Sequence, residues 1–333
     1  MSSTLSSSSS LNEFQFIRNY LKQRNTRPDD VILDIGDDCA ILKVPDTKQL
    51  AVTLDTMVAG VHFPEAASAA HIGHKCLAVS LSDLAAMGAE PAWVTLALTL
   101  PCLDETWLQD FCDGFFNLAR QFKVQLVGGD VTRGPLCIST QCHGFVSPGK
   151  ALRRDGAGAG DKIYVSGTIG EAALGLMLMQ NRLSLPQELK QQSDLWLQRL
   201  NRPAPRVSLG MAIAEVASAA IDISDGLAAD LQHILAQSGV GAVIHVERIP
   251  LPQCLPEVFE RVGGWETIIG GGDDFELCFT VSPQHEVELL RVVQGLDCAI
   301  HCIGEIQQGD GLEIRENGQT IELQRAGYEH FTN

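Results

Sequence analysis

Near its start the chain reads Ile35-Gly36-Asp37-Asp38-Cys39-Ala40, shortly after the apolar run Val31-Ile32-Leu33. Two adjacent carboxylates in a strand-like, apolar segment are costly unless a positive group meets them. The simplest such group is a metal ion. The same pattern, an aspartate among apolar residues or glycines, recurs at Asp55, Asp83, Asp130, Asp222, Asp225, Asp273 and Asp274. We interpret these aspartates as one site that the fold gathers from across the chain.

Length and composition indicate an ordinary globular protein. The 333 residues are 45% hydrophobic and 20% charged, which suits about two domains. The formal net charge of −17 argues against a nucleic-acid partner, because phosphate backbones are bound by clustered Lys and Arg. The sequence has no apolar run of about 18 residues, so we expect no membrane span. Ten cysteines lie scattered through apolar segments, which favours free thiols and a cytoplasmic location.

Periodicity places the first motifs on secondary structure. Residues 71–87 predict a helix in which Leu77, Leu81 and Leu84 share one face, and Gly88 is its C-terminal stop. Asp83 lies inside this helix among small neighbours, which suggests close packing. Residues 12–23 predict another helix, capped at its first residue and buried along the face of Phe14, Ile17 and Leu21.

The remaining aspartates follow strand-like segments. Residues 50–56, 125–132 and 220–223 predict strands that end on or beside an acid, and 267–276 predicts a glycine-rich loop entering a strand at 277–281. Pro148-Gly149 begins a domain boundary. We therefore expect a disordered tail over 1–11, an N-terminal domain over 12–150 and a C-terminal domain over 151–333.

Carboxylates and glycines in this arrangement favour one kind of chemistry. Hard carboxylate oxygens suit Mg²⁺, which proteins bind through a few carboxylates together with substrate phosphates. An acidic pocket repels a nucleotide unless several cations bridge the two. The sequence therefore predicts phosphoryl transfer assisted by several metal ions, with glycines at 128–129 and 270–272 admitting phosphate close to the backbone.

Five motifs occur in the order and spacing of the thiamine-monophosphate kinases, which the chain resembles over about residues 12–331. The motifs are Ile35-Gly-Asp-Asp-Cys-Ala40, Thr53-Leu-Asp-Thr56, Leu81-Ser-Asp-Leu-Ala-Ala-Met-Gly88, Gly128-Gly-Asp-Val-Thr-Arg133 and Ile223-Ser-Asp-Gly226. The resemblance implies two α+β or α/β domains of the aminoimidazole-ribonucleotide-synthetase-like (PurM-like) superfamily. It further implies a homodimer in which the N-terminal sheets of two subunits pair.

The resemblance also implies roles for individual residues. Several Mg²⁺ ions would be bound by Asp38, Thr53, Asp55, Asp83, Asp130, Asp222 and Asp225. ATP, the co-substrate, would be contacted by Gly129, Asp130, Arg154 and Ser224. Thiamine monophosphate would be contacted by His62, Asp273 and Tyr328. Asp273 departs from the family pattern, in which Glu is usual. Because side chains alternate along a strand, Asp37 and Asp38 should not serve one metal cluster equally, and the resemblance selects Asp38.

The implied reaction is direct in-line transfer of the ATP γ-phosphoryl group to thiamine monophosphate, giving thiamine diphosphate. No residue is expected to act as a covalent nucleophile. Two alternatives stay open at this point. One is another ATP-dependent enzyme of the same superfamily, and the other is a non-catalytic, acidic, metal-binding dimer. Neither a membrane nor a nucleic acid is an expected partner.

Overall fold

The structure is a computed structural model that describes residues 11–24 and 29–331, with Glu257 described by its backbone alone. The predicted tail over 1–11 therefore lies almost wholly outside the described residues. The chain divides into two compact units. Unit 1 comprises Met1–Lys43, Leu54–Leu77 and Ala92–Gln141, and unit 2 comprises Val44–Thr53, Ala78–Pro91 and Cys142–Asn333. The predicted boundary at residue 150 stays a prediction.

The described part of the chain contains helices and strands throughout, partly in alternation and partly in runs of two or three of one type. The helices are α1 Glu13–Phe16, α2 Ala69–Ala86, α3 Glu105–Gln121, α4 Glu171–Met179, α5 Lys190–Asn201, α6 Val207–Ile213, α7 Leu227–Ser238, α8 Phe259–Val262, α9 Trp265–Gly270 and α10 Glu286–Val292. The strands are β1 Val31–Leu33, β2 Ile41–Leu42, β3 Gln49–Val58, β4 Glu90–Leu100, β5 Gln125–Arg133, β6 Cys137–Val146, β7 Lys162–Ser166, β8 Ala219–Asp222, β9 Gly241–His245, β10 Leu277–Val281, β11 Ile300–Gln307, β12 Gly311–Glu316 and β13 Gln319–Ile321. No described helix is long and apolar enough to cross a membrane.

The N-terminal helix begins where the sequence predicts it. Asn12 accepts a hydrogen bond from the Gln15 amide, and the Gln15 side chain accepts one from the Asn12 amide, which forms a capping box. The predicted buried face is right for Leu21, which is buried, and wrong for Phe14, and α1 continues as a π-turn over Ile17–Leu21. The wider turn rotates the face, so that Phe16 is buried whereas Phe14 is 73% exposed.

The opening motif is a loop, which corrects the expectation of a buried strand. Gly36 adopts φ +123° between the short antiparallel strands β1 and β2, so the chain turns before Asp37. Asp37 and Asp38 are exposed, and the buried carboxylate of this segment is Asp34.

Strand β3 lies at one edge of a four-stranded sheet of order β3-β6-β4-β5. In the same sheet, β4 and β5 pair with each other in parallel, with Leu96 opposite Gly129 and Ala97 opposite Asp130. Strand β3 extends beyond the predicted end at residue 56, so Asp55 lies within the strand. Alternate residues Leu50, Val52 and Leu54 are exposed and share one face of the edge strand.

Helix α2 confirms its sequence prediction. Leu77, Leu81 and Leu84 are buried. Gly88 stops the helix at φ +65°, and the amide of Ala89 donates to the Leu84 carbonyl at 2.9 Å.

Unit 2 is built on a seven-stranded sheet of order β13-β12-β9-β11-β7-β10-β8. Its neighbours are antiparallel except β9 and β12, which are parallel. Apolar residues of the sheet and of α4, α5, α7 and α9 form the core, among them Trp196, Leu231 and Ile268. The strand at 277–281 is confirmed, whereas residues 267–270 belong to α9 rather than to the predicted loop.

Candidate active site

Thr53 and Asp83 form the best-defined contact among the predicted metal ligands. The Thr53 hydroxyl on β3 donates a hydrogen bond to Oδ2 of Asp83 on α2. Strand alternation places Thr53 and Asp55 on the same face of β3, opposite the exposed apolar face.

Burial raises the pKa of Asp83, and this effect outweighs the Thr53 hydrogen bond and the positive charge of Arg154, both of which lower the pKa. A buried carboxylate with a raised pKa lacks sufficient positive charge nearby. The contribution from Arg154 shows that this exposed guanidinium lies close enough to act on Asp83. Unit 2 thus brings together Thr53, Asp83 and Arg154.

In unit 1, Gly129 and Asp130 are exposed residues of β5. Gly129 adopts φ +150°, and a Cβ built on it would lie 1.9 Å from the carbonyl oxygen of Leu96. Only glycine lets β5 approach β4 this closely, and Asp130 follows directly. The ring of His62, in the loop after β3, accepts a hydrogen bond at Nδ1 from the Val58 amide at 3.0 Å.

The two aspartates of the opening motif differ in their contacts. Oδ1 of Asp37 accepts a hydrogen bond from the amide of Asp38 at 2.9 Å, which ties Asp37 to its own turn. The role of Asp38 as a metal ligand stays a prediction.

A second group in unit 2 forms around the loop after β8. Asp222 ends the strand and is buried, and Ser224 and Asp225 follow it. The amides of Ser224, Asp225 and Gly226 all point to Oδ2 of Asp230, at 2.9, 3.0 and 3.2 Å. Burial raises the pKa of Asp230 to about 7 in spite of these hydrogen bonds. Burial also raises the pKa of Asp225, and the charges of His330 and His233 oppose that rise.

The glycine-rich segment after α9 brings Asp273 to the same loop. The Asp273 amide donates to the Ser224 carbonyl at 2.8 Å. Asp273 adopts φ +72°, a backbone conformation that is uncommon for residues other than glycine. Its neighbour Asp274 points elsewhere: the carboxylate accepts hydrogen bonds from the amides of Gly170 and Ala172 at the start of α4, at 2.7 and 3.2 Å. Burial raises the pKa of Asp274 well above its usual range. Asp274 therefore caps a helix.

Tyr328 reaches the loop from the C-terminal segment. Its amide donates to the Asp225 carbonyl at 2.9 Å, and its ring is half exposed. The guanidinium carbon of Arg325 lies 5.9 Å from the ring centroid, and the His330 ring meets Tyr328 edge-on at 5.0 Å. Ser224, Asp225, Asp273 and Tyr328, four residues with predicted roles, thus lie together.

The predicted ligands suit Mg²⁺ because they offer carboxylate and hydroxyl oxygens. In addition, the pKa values of Asp83 and Asp225 are raised, and a bound cation would lower them. Among the described residues, no three His, Cys, Asp or Glu side chains gather as a ready-made metal cluster. Mg²⁺ commonly uses one or two carboxylates with waters and phosphates, so pairs of ligands are sufficient. The full ligand set stays a prediction.

The sequence analysis did not predict two residues that lie near Asp225. Asp230 and His330 had no place among the expected ligands, although both act on Asp225. The only signal for Asp230 is its position in the first turn of a helix that follows Ser224-Asp225-Gly226. No sequence signal distinguishes His330 from a surface histidine.

Comparison with known proteins defines the class. The family model described as AIR synthase related protein, N-terminal domain, matches residues 36–146, and that for the C-terminal domain matches residues 158–317. The chain is thus a two-domain protein of the AIR-synthase-related class, and the predicted fold class is confirmed.

Similarity to individual proteins identifies the family within this class. Thiamine-monophosphate kinases from Salmonella typhimurium and Escherichia coli K12 are 43% and 44% identical to the chain over 320 residues, with 96% of this chain and 98% of each relative covered. The crystal structure of thiamine-monophosphate kinase from Stenotrophomonas maltophilia is 44% identical, with a TM-score of 0.83 over 92% of this chain and 97% of that one. AaThiL complexed with AMPPCP and TMP is 29% identical, with a TM-score of 0.74 over 98% of this chain and 100% of that one. The chain belongs to the thiamine-monophosphate kinase family.

Proposed function

We propose that the chain transfers the γ-phosphoryl group of ATP directly to the phosphate of thiamine monophosphate, giving thiamine diphosphate and ADP. The observation that supports this most is the full-length similarity to AaThiL complexed with AMPPCP, an ATP analogue, and TMP, the acceptor. Identity of 43–44% to curated kinases of this name supports the same substrates.

The residues brought together in unit 2 suit the two substrates. Arg154 offers a planar cation that suits phosphate oxygens, and Ser224 offers a hydroxyl from a fixed loop. We assign ATP contact to these residues together with Gly129 and Asp130. The Tyr328 ring is half exposed, so it offers aromatic surface to a cation such as thiazolium. We assign thiamine monophosphate to Tyr328, Asp273 and His62.

The transfer breaks one bond and forms one. The bond between the γ-phosphorus and the bridging oxygen of ATP breaks, and ADP leaves with that electron pair. An oxygen of the acceptor phosphate, already an anion, forms the new bond, so no general base and no covalent enzyme intermediate are needed. Alignment of the two phosphates therefore supplies most of the acceleration by the protein.

Mg²⁺ would be bound by Asp38, Thr53, Asp55, Asp83, Asp130, Asp222 and Asp225, and when bound it neutralises phosphate charge. The raised pKa of Asp83 supports a cation there, because one positive neighbour does not offset its burial. Chelation with EDTA should abolish turnover, and Mg²⁺ should restore it while Ca²⁺, which has looser geometry, should restore it less. Turnover that survives chelation would contradict the metal assignment.

Two measurements test the reaction. Purified chain with ATP, Mg²⁺ and thiamine monophosphate should form thiamine diphosphate and ADP in equal amounts. With ATP that is chiral at the γ-phosphorus through oxygen isotopes, the transferred group should show inversion, because a single in-line displacement inverts phosphorus. Retention would indicate a covalent phosphoenzyme and would contradict direct transfer.

The second candidate is another ATP-dependent enzyme of the same superfamily, which the shared fold alone permits. Structures of hydrogenase maturation protein HypE resemble the chain with TM-scores of 0.74 to 0.76 at 17–20% identity. ADP release across a panel of acceptors separates the candidates. We expect thiamine monophosphate to give the highest kcat/KM, and an acceptor without a thiamine moiety that exceeds it would favour the alternative. Metal binding without any turnover would favour the non-catalytic dimer.

We propose that the chain forms a homodimer through the edge strand β3. Leu50, Val52 and Leu54 expose an apolar row on that strand, and Ile32 of β1 is 66% exposed. Leu54→Lys should convert the dimer to a monomer in sedimentation experiments. Val287→Lys, at an exposed position of α10, is the matched control and should leave the dimer intact. A wild-type monomer would contradict this proposal.

We further propose a cytoplasmic location and a domain boundary near residue 150. Ten free cysteines support the first, because thiols persist in a reducing compartment. Limited proteolysis tests the second: cleavage should concentrate at 148–161, and cleavage elsewhere first would contradict it. Cell fractionation tests the location.

A further inference from the structure

Asp230 has an unusual position for a residue outside the expected ligands. Its side chain is 3% exposed, and one oxygen, Oδ2, accepts hydrogen bonds from three consecutive amides. Three amides can converge on one atom only where the backbone curves into a nest. Gly226 permits this curvature at φ +123°, where a Cβ would lie 2.8 Å from the backbone of Gly270.

The carbonyl side of the same loop is fixed as well. The Ser224 carbonyl accepts from the Asp273 amide, and the Asp225 carbonyl accepts from the Tyr328 amide. Hydrogen bonds to its amides and to its carbonyls thus hold the loop on both sides, and none of these hydrogen bonds uses the side chain of Ser224 or Asp225. Among Asp230, Asp273 and Tyr328, the three residues that bond to this loop, only Asp230 does so through its side chain. A substitution at Asp230 therefore removes its contact directly, whereas the other two contacts are made by backbone amides.

We propose that Asp230 is a positioning residue for the kinase reaction, which holds the Ser224–Gly226 loop so that Ser224 and Asp225 meet the nucleotide and its cation in one fixed arrangement. This inference rests on the proposed function, because the roles of Ser224 and Asp225 are part of it. Asp230 does not touch the reacting groups. Its effect passes through the backbone that displays them.

The chemistry of the accepting group supports this role. Oδ2 of Asp230 accepts from three amides, and an oxygen of a carboxylate can accept without offering a donor of its own. An amide in its place would accept more weakly, and its NH₂ group cannot sit among three N–H donors. We therefore expect Asp230→Asn to loosen the loop.

The test compares Asp230→Asn and Asp230→Ala with a matched control, Asp161→Asn. Asp161 is also buried in unit 2, and its Oδ2 accepts hydrogen bonds from the Gly158 amide and the Ser218 hydroxyl at 2.9 and 2.5 Å. The three variants therefore each lose a buried, hydrogen-bonded carboxylate. Only those at Asp230 lose it from the loop that displays Ser224 and Asp225.

We expect hydrogen exchange of the Ser224–Gly226 amides to quicken about tenfold in the Asp230 variants, as loss of one hydrogen bond predicts. We expect kcat to fall about 10²-fold, since misplacement by about 1 Å has that effect. The Mg²⁺ concentration for half-maximal rate and the Kd for AMPPCP should both rise. Asp161→Asn should lower Tm and leave both saturation constants and the 224–226 exchange unchanged.

Two results would overturn the inference: wild-type exchange and saturation constants in both Asp230 variants, or the same shifts in Asp161→Asn. A general loss of stability lowers the active fraction but does not move a saturation constant. Failure of the proposed function is distinguishable, because a wild-type chain without thiamine monophosphate turnover still reports loop exchange and AMPPCP affinity. Hydrogen exchange of the loop and AMPPCP affinity therefore test the role of Asp230 without any measurement of turnover.

Discussion

The hydroxyl of Thr53 donates to Oδ2 of Asp83, so a strand residue and a helix residue that are 30 positions apart form one polar contact. The contact orients a carboxylate whose burial opposes its charge. A hydroxyl donor keeps such a carboxylate in place without neutralising it, which leaves its charge available to a cation.

Thr53→Val should lower kcat/KM about tenfold or more, because valine keeps the shape of threonine but cannot donate to Asp83. Thr53→Ser, which keeps the hydroxyl, should stay within about threefold of wild type, given the usual size of one neutral hydrogen bond. The measurement is steady-state kinetics at several Mg²⁺ concentrations. Equal loss in both variants would mean that the methyl group, and not the hydroxyl, matters at this position.

Asp83→Asn and Asp130→Asn should each abolish turnover while the dimer persists. Each substitution keeps the volume and removes the negative charge that a cation requires. The control is Asp194→Asn, which removes an exposed carboxylate paired with Lys190 on α5 and should be silent. Product formation and sedimentation are the measurements. Full activity in both variants would contradict the metal assignment.

Asp38→Asn should weaken Mg²⁺ activation more than Asp37→Asn does. Asp37 accepts a hydrogen bond from the Asp38 amide, which an asparagine oxygen can also accept, so its substitution should act chiefly on stability. Asp38 has the predicted metal role. Isothermal titration with Mg²⁺ and ATP on both variants measures the difference, and the reverse order would show that Asp37 binds the ion.

Gly129→Ala should lower the free energy of unfolding by about 2–3 kcal/mol, as expected for an added atom that the surroundings cannot accommodate. Its Cβ would lie 1.9 Å from a backbone oxygen of β4. Gly128→Ala is the control, because the nearest atom to its Cβ is Cγ2 of Thr95 at 3.8 Å. Denaturant unfolding of both variants measures the effect. Equal stability would show that β5 shifts to make room.

Asp274→Asn should change how stability depends on pH. Burial raises the folded-state pKa of Asp274, and the nearby charges of Glu276 and Glu171 raise it further. The stability it contributes is therefore present below about pH 4, the usual pKa of Asp, and is lost as the pH rises through the folded value. Asparagine cannot ionise, so the Tm of the variant minus that of wild type should increase from pH 5 to pH 8.

The control for this pH dependence is again Asp194→Asn, since Asp194 is exposed on α5. Its Tm should follow the wild-type curve at every pH. Parallel curves for Asp274→Asn and wild type would show that Asp274 does not titrate in this range. Both proteins are compared without ligands, so that binding does not contribute to Tm.

Local sequence patterns were sufficient to predict those parts of the fold that are determined by residues close together in the sequence. Helix α2 and its stop at Gly88 follow from leucine spacing and from the one residue that adopts φ > 0 freely. The capping box at Asn12 follows from the side chains of two residues three apart. The acids beside Ser224 and at Asp273 stand out in the sequence as polar groups at strand ends among apolar residues, and their roles stay predictions.

Other features depend on contacts that no local pattern encodes. The π-turn after α1 changes which phenylalanine is buried, and spacing at 3.6 residues cannot anticipate it. The exposure of Asp37 and burial of Asp34 depend on how two short strands pair. Asp230 looked like an ordinary acid in the first turn of a helix, and only the fold shows three amides on its carboxylate.

The bond from the Tyr328 amide to the Asp225 carbonyl has a consequence for biosynthesis. Tyr328 leaves the ribosome about a hundred residues after Asp225, whereas Asp230 follows Asp225 by five. During translation the contact with Asp230 can form early, whereas the contact with Tyr328 is added only near the end of synthesis. A nascent chain halted before residue 328 would therefore present the loop without Tyr328.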